Sequence, residues 1–159
     1  MKGDPKIIDR LNETLRAEFT AIHQYFIHAE MQENWGYGKL GSYEKKQSIG
    51  EMHHAEWVIE RILFLDGVPS MGELNPMRVG QDVKAQLESD LDLELEAVKQ
   101  LNAAIADATA IGDNGSRELF AKILVDEEEH VDWLEAQLQA VHDLGLGLYL
   151  SQQLSAGDD

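Results

Sequence analysis

The sequence predicts an all-α protein: four long helices in a bundle with one long crossover, then a short fifth helix. Three observations carry this. The 159 residues include only three prolines, at positions 5, 69 and 76. Long stretches place apolar residues at helical spacing, and none shows the two-residue alternation of a half-buried strand. Finally, a glutamate is twice followed, 33 residues on, by Glu-x-x-His: Glu18 before Glu51 and His54, and Glu94 before Glu127 and His130. An offset of 76 carries 18, 51 and 54 onto 94, 127 and 130, so two helical hairpins facing each other about a pseudo-twofold are expected.

The elements follow in order. Asp4 is placed to cap a first helix with Pro5 at its first position, running to about Asn34. Gly36 and Gly38 make a short loop, and a second helix runs from about Lys39 to about Asp66, where Gly67 and Pro69 stop it. Residues 67–81 carry the other prolines and no helical period, so they form the crossover. A third helix runs from about Asp82 to Ile111 and ends at Gly112. Asp113-Asn114-Gly115 reads as a tight turn, with Ser116 capping a fourth helix that continues to about His142. Gly145 and Gly147 flank the start of a short fifth helix, about Leu146 to Leu154. At 1.5 Å per residue the long helices span about 40–47 Å. Two short connections and one long one build two antiparallel hairpins joined end to end. A chain of 159 residues fits one domain spanning 1–159, with the bundle at about 4–143 and the fifth helix at about 146–154.

Composition excludes several classes. The net charge of −17 argues against nucleic acid and anionic membrane partners, and suits stored cations or positively charged partners. No apolar run approaches the roughly 18 residues that span a bilayer, and the N-terminus has no signal-peptide core. The absence of cysteine rules out iron–sulfur clusters and thiolate zinc, and agrees with a reducing cytoplasm.

The repeated pattern carries chemistry. In Glu-x-x-His the two side chains sit at i and i+3 on one helix face, about one turn apart. Solvated acids on exposed faces are the ordinary alternative. Here each acid interrupts an apolar stripe. Glu18 lies among Leu11, Leu15, Ile22 and Tyr25, and Glu51 and His54 lie before Val58, Ile62 and Leu65. Glu94 sits between Leu91 and Leu101, and Glu127 between Ile123 and Leu134. Buried carboxylates without Lys or Arg need another partner. Four glutamates and two neutral imidazoles carry a formal charge of about −4, which two divalent cations cancel. Mixed carboxylate and imidazole ligation suits iron or manganese, and iron is the expected native metal.

The chain as a whole resembles the bacterioferritins, the haem-containing branch of the ferritin superfamily. The resemblance rests on Met1-Lys-Gly-Asp-Pro-Lys6, Gln24-Tyr25-Phe26, Glu30 through Gly36, Glu51-Met52, Glu60 to Leu65, Asp90 to Glu96 and Asp126-Glu-Glu-Glu-His130. It implies a ferritin-like bundle, and a hollow shell of 24 subunits built from twofold dimers. It further implies oxidation of Fe(II) by O2 or H2O2 at a di-iron centre, and storage of a ferric mineral inside. Glu18 and His54 would be terminal ligands on one iron and Glu94 and His130 on the other, with Glu51 and Glu127 bridging. Tyr25, seven residues after Glu18 on the same face, would stand beside that centre; a core tyrosine whose hydroxyl found a partner weighs about as much.

Met52 selects the haem branch. At 100° per residue it lies about 160° from His54, on the opposite side of its helix. Ile49, Ala55 and Ile59 share that side, and Phe19, Ile22 and Phe26 of the first helix can match it. A lone methionine on an apolar face is ordinarily packing. The resemblance implies instead that Met52 from two chains binds one shared haem b axially, relaying electrons inward from a small ferredoxin for iron release. His23 falls on this side of the first helix as a weak candidate for contact with the haem edge. His28, His53 and His142 are read as surface or interface residues.

Some positions depart from the family. Certain members carry a His and an Asp that bind an extra inner iron, where this chain has Lys46 and Gly50, neither of which can serve. Asn34, Asp66, Asp132 and Glu135 match a pore-lining pattern for iron, although exposed acids are usually only solvated. Competing readings are a di-iron peroxidase or oxygenase such as a rubrerythrin, a haem-free ferritin, and a purely structural bundle with exposed acids.

Overall fold

Asp4 starts the first helix by accepting a hydrogen bond from the Lys6 amide at 2.8 Å, and Pro5 occupies the first helical position. The computed structural model describes residues 1–154; residues 155–159, the end of the expected single domain, lie outside them. Among the described residues the elements are α1 (Pro5–Asn34), α2 (Gly38–Phe64), α3 (Val83–Ile111), α4 (Asn114–Leu144) and α5 (Leu146–Ser151). All are helices, and they form a ferritin-like four-helix bundle with a short C-terminal helix.

Three expected boundaries shift, and the fifth helix is one of them, ending at Ser151 and not near Leu154. The second helix stops at Phe64 because Asp66 takes a left-handed conformation (φ 57°), which turns the chain before Gly67 is reached. Asp113, and not Ser116, caps α4: its side chain accepts from the Ser116 amide at 3.0 Å, and Asn114 and Gly115 enter the first helical turn. Arg61 from the end of α2 donates to Asp113 at 2.6 Å and to the Ser116 hydroxyl at 2.9 Å, tying that cap to the neighbouring helix. The third helix meets its expected limits, with Asp82 accepting from the Ala85 amide and Gly112 left-handed at φ 82°.

The helices pair as two antiparallel hairpins, α1 on α2 and α3 on α4, with α1 also against α3. The Gly3 amide reaches the Leu65 carbonyl at 2.9 Å, which joins the start of one hairpin to its end. The crossover runs along α1 and is pinned at successive turns of one face. Asn12 bonds Val68 and Ser70, Thr20 takes the Asn75 amide, Gln24 the Arg78 amide and His28 the Gly80 amide. Thr20, Gln24 and His28, spaced by four, lie on one helix face, so α1 carries a ladder of acceptors for the later part of this segment.

The core is apolar at both ends and polar between. Ile7, Leu11, Ile62, Phe120 and Ile123 close one end. Leu40, Leu87, Leu134 and Tyr149 close the other. Each such side chain stabilises the fold by about 1.5–3 kcal/mol relative to exposure. The carboxylates lie in the layer between, away from bulk water.

Candidate metal centre

Glu18 comes from α1, Glu51 and His54 from α2, Glu94 from α3, and Glu127 and His130 from α4. Every one of the six is buried, none more than 6% exposed. They form two overlapping groups: Glu18, Glu51, His54 and Glu127, and Glu51, Glu94, Glu127 and His130. Within each group one donor atom per residue lies within 4.8 Å of the others. Both groups share Glu51 and Glu127, so the geometry offers two adjacent cation positions with two carboxylates common to both.

The donor atoms face inward. His54 Nδ1 lies 2.9 Å from Glu51, 3.1 Å from Glu127 and 3.4 Å from Glu18. His130 Nδ1 lies 2.9 Å from Glu94 Oε1, while its Nε2 is buried without a partner. On the outer side, His54 Nε2 meets Asp126 Oδ2 at 3.1 Å, which fixes the ring's orientation. Asp126 stood in the sequence only as the first letter of a family stretch. Its partner comes from α2, which no local pattern in α4 announces. Among the described residues no lysine or arginine forms an ion pair with the six, so protons or cations must balance the carboxylates. The donor set fits two hard or borderline divalent ions.

The electrostatics fit a site built for cations. Burial, and then the charge of Glu127, push Glu18 up to about 7. Burial likewise raises Glu51 and Glu127 well above the usual carboxylate range. Burial opposes ionisation of Glu94 too, but the hydrogen bond and charge of His130 prevail and lower it. For His54 burial disfavours the charged ring, yet its hydrogen bonds to the Glu127, Glu18 and Glu51 carboxylates raise it. Without cations, protons sit where the ions would, so cation binding must expel them.

Tyr25 is fully buried and its hydroxyl donates to Glu94 Oε1. Its ring meets His130 edge-on at 5.1 Å between centroids. The centre opens to a cleft of about 590 Å³ whose walls include Lys46, Gly50, Asp126, Asp132 and the stacked pair Tyr43 and Trp133. Asn34, Asp66, Asp132 and Glu135 are all exposed. A smaller cavity of about 270 Å³ lies between α1, α3 and the crossover, and none of the six residues lines it.

On the far side of α2, Met52 (52% exposed) and Ile49 are open to solvent with Ile59 half-buried, and α1 carries an exposed Phe26 with Phe19 and Ile22 half-buried. Exposed apolar side chains and a thioether open to solvent fit a flat apolar group such as haem. Ala55 does not belong with them: it is turned into the core cluster of Ile7 and Ile62. His23 of α1 is exposed too. His53 and His142 are exposed as expected, but His28 is not a surface residue. It is fully buried, bonded to Asp90 and Gly80, because the crossover covers that turn of α1.

A four-helix bundle that gathers four carboxylates and two imidazoles in its core is a ferritin-like protein, and a family model described as a ferritin-like domain matches residues 8–143. The chain is 47% identical to a bacterioferritin of Streptomyces coelicolor over 151 residues, 95% of this chain and 90% of the relative. It is 43% identical to a bacterioferritin of Mycobacterium avium over 155 residues, 98% of each. It is 40% identical to one from Brucella melitensis biotype 1 over 159 residues, all of this chain and 99% of the relative. This chain belongs to the bacterioferritin family. That membership supports a role in iron storage.

Proposed function

We propose that this protein stores iron as a ferroxidase: it binds Fe(II) pairwise, oxidises it with O2 or H2O2, and keeps the ferric product inside a cage of 24 subunits built from twofold dimers. The observation that carries this reading is the pair of overlapping donor groups sharing Glu51 and Glu127 in a buried layer. Glu18 and His54 hold one Fe(II), Glu94 and His130 the other, and the shared glutamates span both. Held side by side, the pair yields two electrons together. With two protons these convert O2 to H2O2, or H2O2 to two waters, so no one-electron oxygen radical need leave the site. The protein's part is to orient ligands and move protons. Asp126 steadies His54. Tyr25 holds Glu94 through its hydroxyl and stands within reach as an electron donor.

Met52, with its counterpart from a twofold-related chain, would hold the haem b that the family resemblance implies, against the apolar side chains of Ile49 and Phe26. Bound there, haem supplies an electron relay, fed by a small ferredoxin, for reductive release of the mineral. Asn34, Asp66, Asp132 and Glu135 are proposed to admit iron. Lys46 and Gly50 leave no inner iron site of the kind some relatives use. The cytoplasm is the proposed location, consistent with a cysteine-free chain. No described helix is long and apolar enough to cross a membrane.

The test is an anaerobic Fe(II) titration followed by an oxygen pulse, read with particle mass, on wild type and Glu127→Ala. Wild type should bind two Fe(II) per chain and oxidise them rapidly, and the variant should assemble but lose the rapid phase. Unchanged rates in the variant would refute the site, and a small oligomer would refute the cage.

A further inference from the structure

Between the centre and the crossover lies a second set of buried polar side chains that iron oxidation, as proposed, does not use. Gly80, buried where the crossover turns into α3, anchors it on both sides. Its N–H donates to His28 Nε2 at 3.0 Å, so the ring carries its proton on Nδ1 and donates it to Asp90 Oδ2, also at 3.0 Å. Asp90 Oδ1 accepts from Gln24 Nε2 at 2.7 Å. The Gly80 carbonyl accepts from Gln86 Nε2 at 3.2 Å, which fixes the direction of a second chain. Gln86 Oε1 then accepts from Gln32 Nε2 at 2.9 Å. Gln32 gives one of its two N–H donors to Gln86, and its Oε1 is buried with no partner.

Glu44 stands next to Gln32, fully buried, and neither of its carboxylate oxygens has a partner either. As a carboxylate it would leave Gln32 Oε1 unsatisfied and bury a charge with no cation against it, which is costly. One proton resolves the conflict, because a Glu44 O–H can donate to Gln32 Oε1. The surroundings agree. Burial, then the charges of Asp90 and Glu94, hold Glu44 well above the usual carboxylate range, outweighing the pull of the Gln32 amide, which favours the charged form. The groups facing this region are Asp90 and Glu94 from α3, Tyr25 and His28 from α1, Tyr43 on α2 itself, His130 from α4 and Tyr149 from α5. Among the described residues no lysine or arginine bonds Glu44.

We propose that Glu44 is a proton-exchanging residue of the metal centre: a neutral acid bonded to Gln32 in the cation-free protein, it releases that proton when two divalent cations fill the neighbouring carboxylate site. The step is an ionisation alone. The O–H bond breaks, the proton leaves to solvent, the carboxylate stays, and no electrons move. Cations on Glu94 and its partners cancel the charge that kept Glu44 neutral, and the new carboxylate offsets the added positive charge. Glu44 touches no cation and acts only through its own charge. The inference rests on the two-cation centre proposed above.

Zinc, which has no redox chemistry here, is the probe. The full-length protein and Glu44→Gln are titrated with zinc at neutral pH in buffers of different protonation enthalpy. The carboxylic-acid carbonyl stretch is followed by infrared spectroscopy. Wild type should release about one more proton per loaded centre than the variant. It should also show a Glu44-dependent acid band that vanishes on loading. Glutamine imitates the neutral acid and can donate to Gln32, so the variant should fold and bind two zinc ions. Equal proton counts, no Glu44-dependent acid band, a band that survives loading, or a variant that cannot fold would each overturn the inference. If wild type binds no pair of zinc ions, the two-cation centre itself falls, and the role of Glu44 falls with it.

Discussion

Asp126→Asn separates the two halves of the centre. Asp126 Oδ2 receives His54 Nε2 at 3.1 Å, whereas His130 Nε2 has no partner, so the substitution bears on one imidazole only. Asparagine keeps the shape and an acceptor oxygen but removes the charge that makes the ring a better ligand. Losing such an outer carboxylate weakens a metal site by roughly 10–100-fold. Asp126 is 46% exposed, so water screens its charge and the lower end applies. The expected cost is about tenfold, or about 1.4 kcal/mol. It should fall on the position formed by Glu18, Glu51, His54 and Glu127 and spare the one completed by Glu94 and His130. Zinc calorimetry resolves the two positions: one binding step should weaken about tenfold and the other stay put. Both steps weakening together, or neither, would show that Asp126 does not act through His54.

Two further expectations concern other parts of the molecule. Met52→Leu keeps the apolar face but removes the thioether, so visible haem absorbance should disappear while Fe(II) oxidation continues at the wild-type rate; retained haem would mean another ligand. Gly80→Ala should destabilise the protein by about 1–3 kcal/mol, as overpacking does. The new Cβ would lie 2.3 Å from the Gln86 amide nitrogen and 2.6 Å from the Ala85 carbonyl carbon, both backbone atoms that cannot swing aside. Thermal unfolding at fixed pH measures this, and an unchanged midpoint would show that the start of α3 can shift to make room.

Much of the fold and the candidate site was legible because helices turn spacing into direction. Asp4, Pro5, Asp82 and Gly112 mark helix ends through purely local rules of capping and handedness, and those ends stand where the sequence put them. The interval from Glu51 to His54 places both on one face without knowledge of any neighbour. His28, Ala55 and Asp126 were not readable in this way. A histidine three residues past Tyr25 looks like surface until the crossover lies over it and Gly80 donates to its ring. Asp126 looks like one more solvated acid in an acidic stretch until α2 brings His54 within 3.1 Å.

The sequence alone determined that the chain is helical, where most helices begin and end, and that Glu18, Glu51, Glu94 and Glu127 lie on core-facing stripes, because these depend on neighbours within one or two turns. Tertiary structure alone decided which acids gather in each donor group, which nitrogen of each imidazole faces them, and that Glu44, Asp90 and His28 are sealed in the core. Those outcomes depend on atoms brought together from helices 36 to 76 residues apart in the chain, as the His130–Glu94 bond and the Glu51–Glu127 pairing show. No local pattern fixes such distances; packing of the apolar ends does, by setting how far apart and at what height the four helices stand.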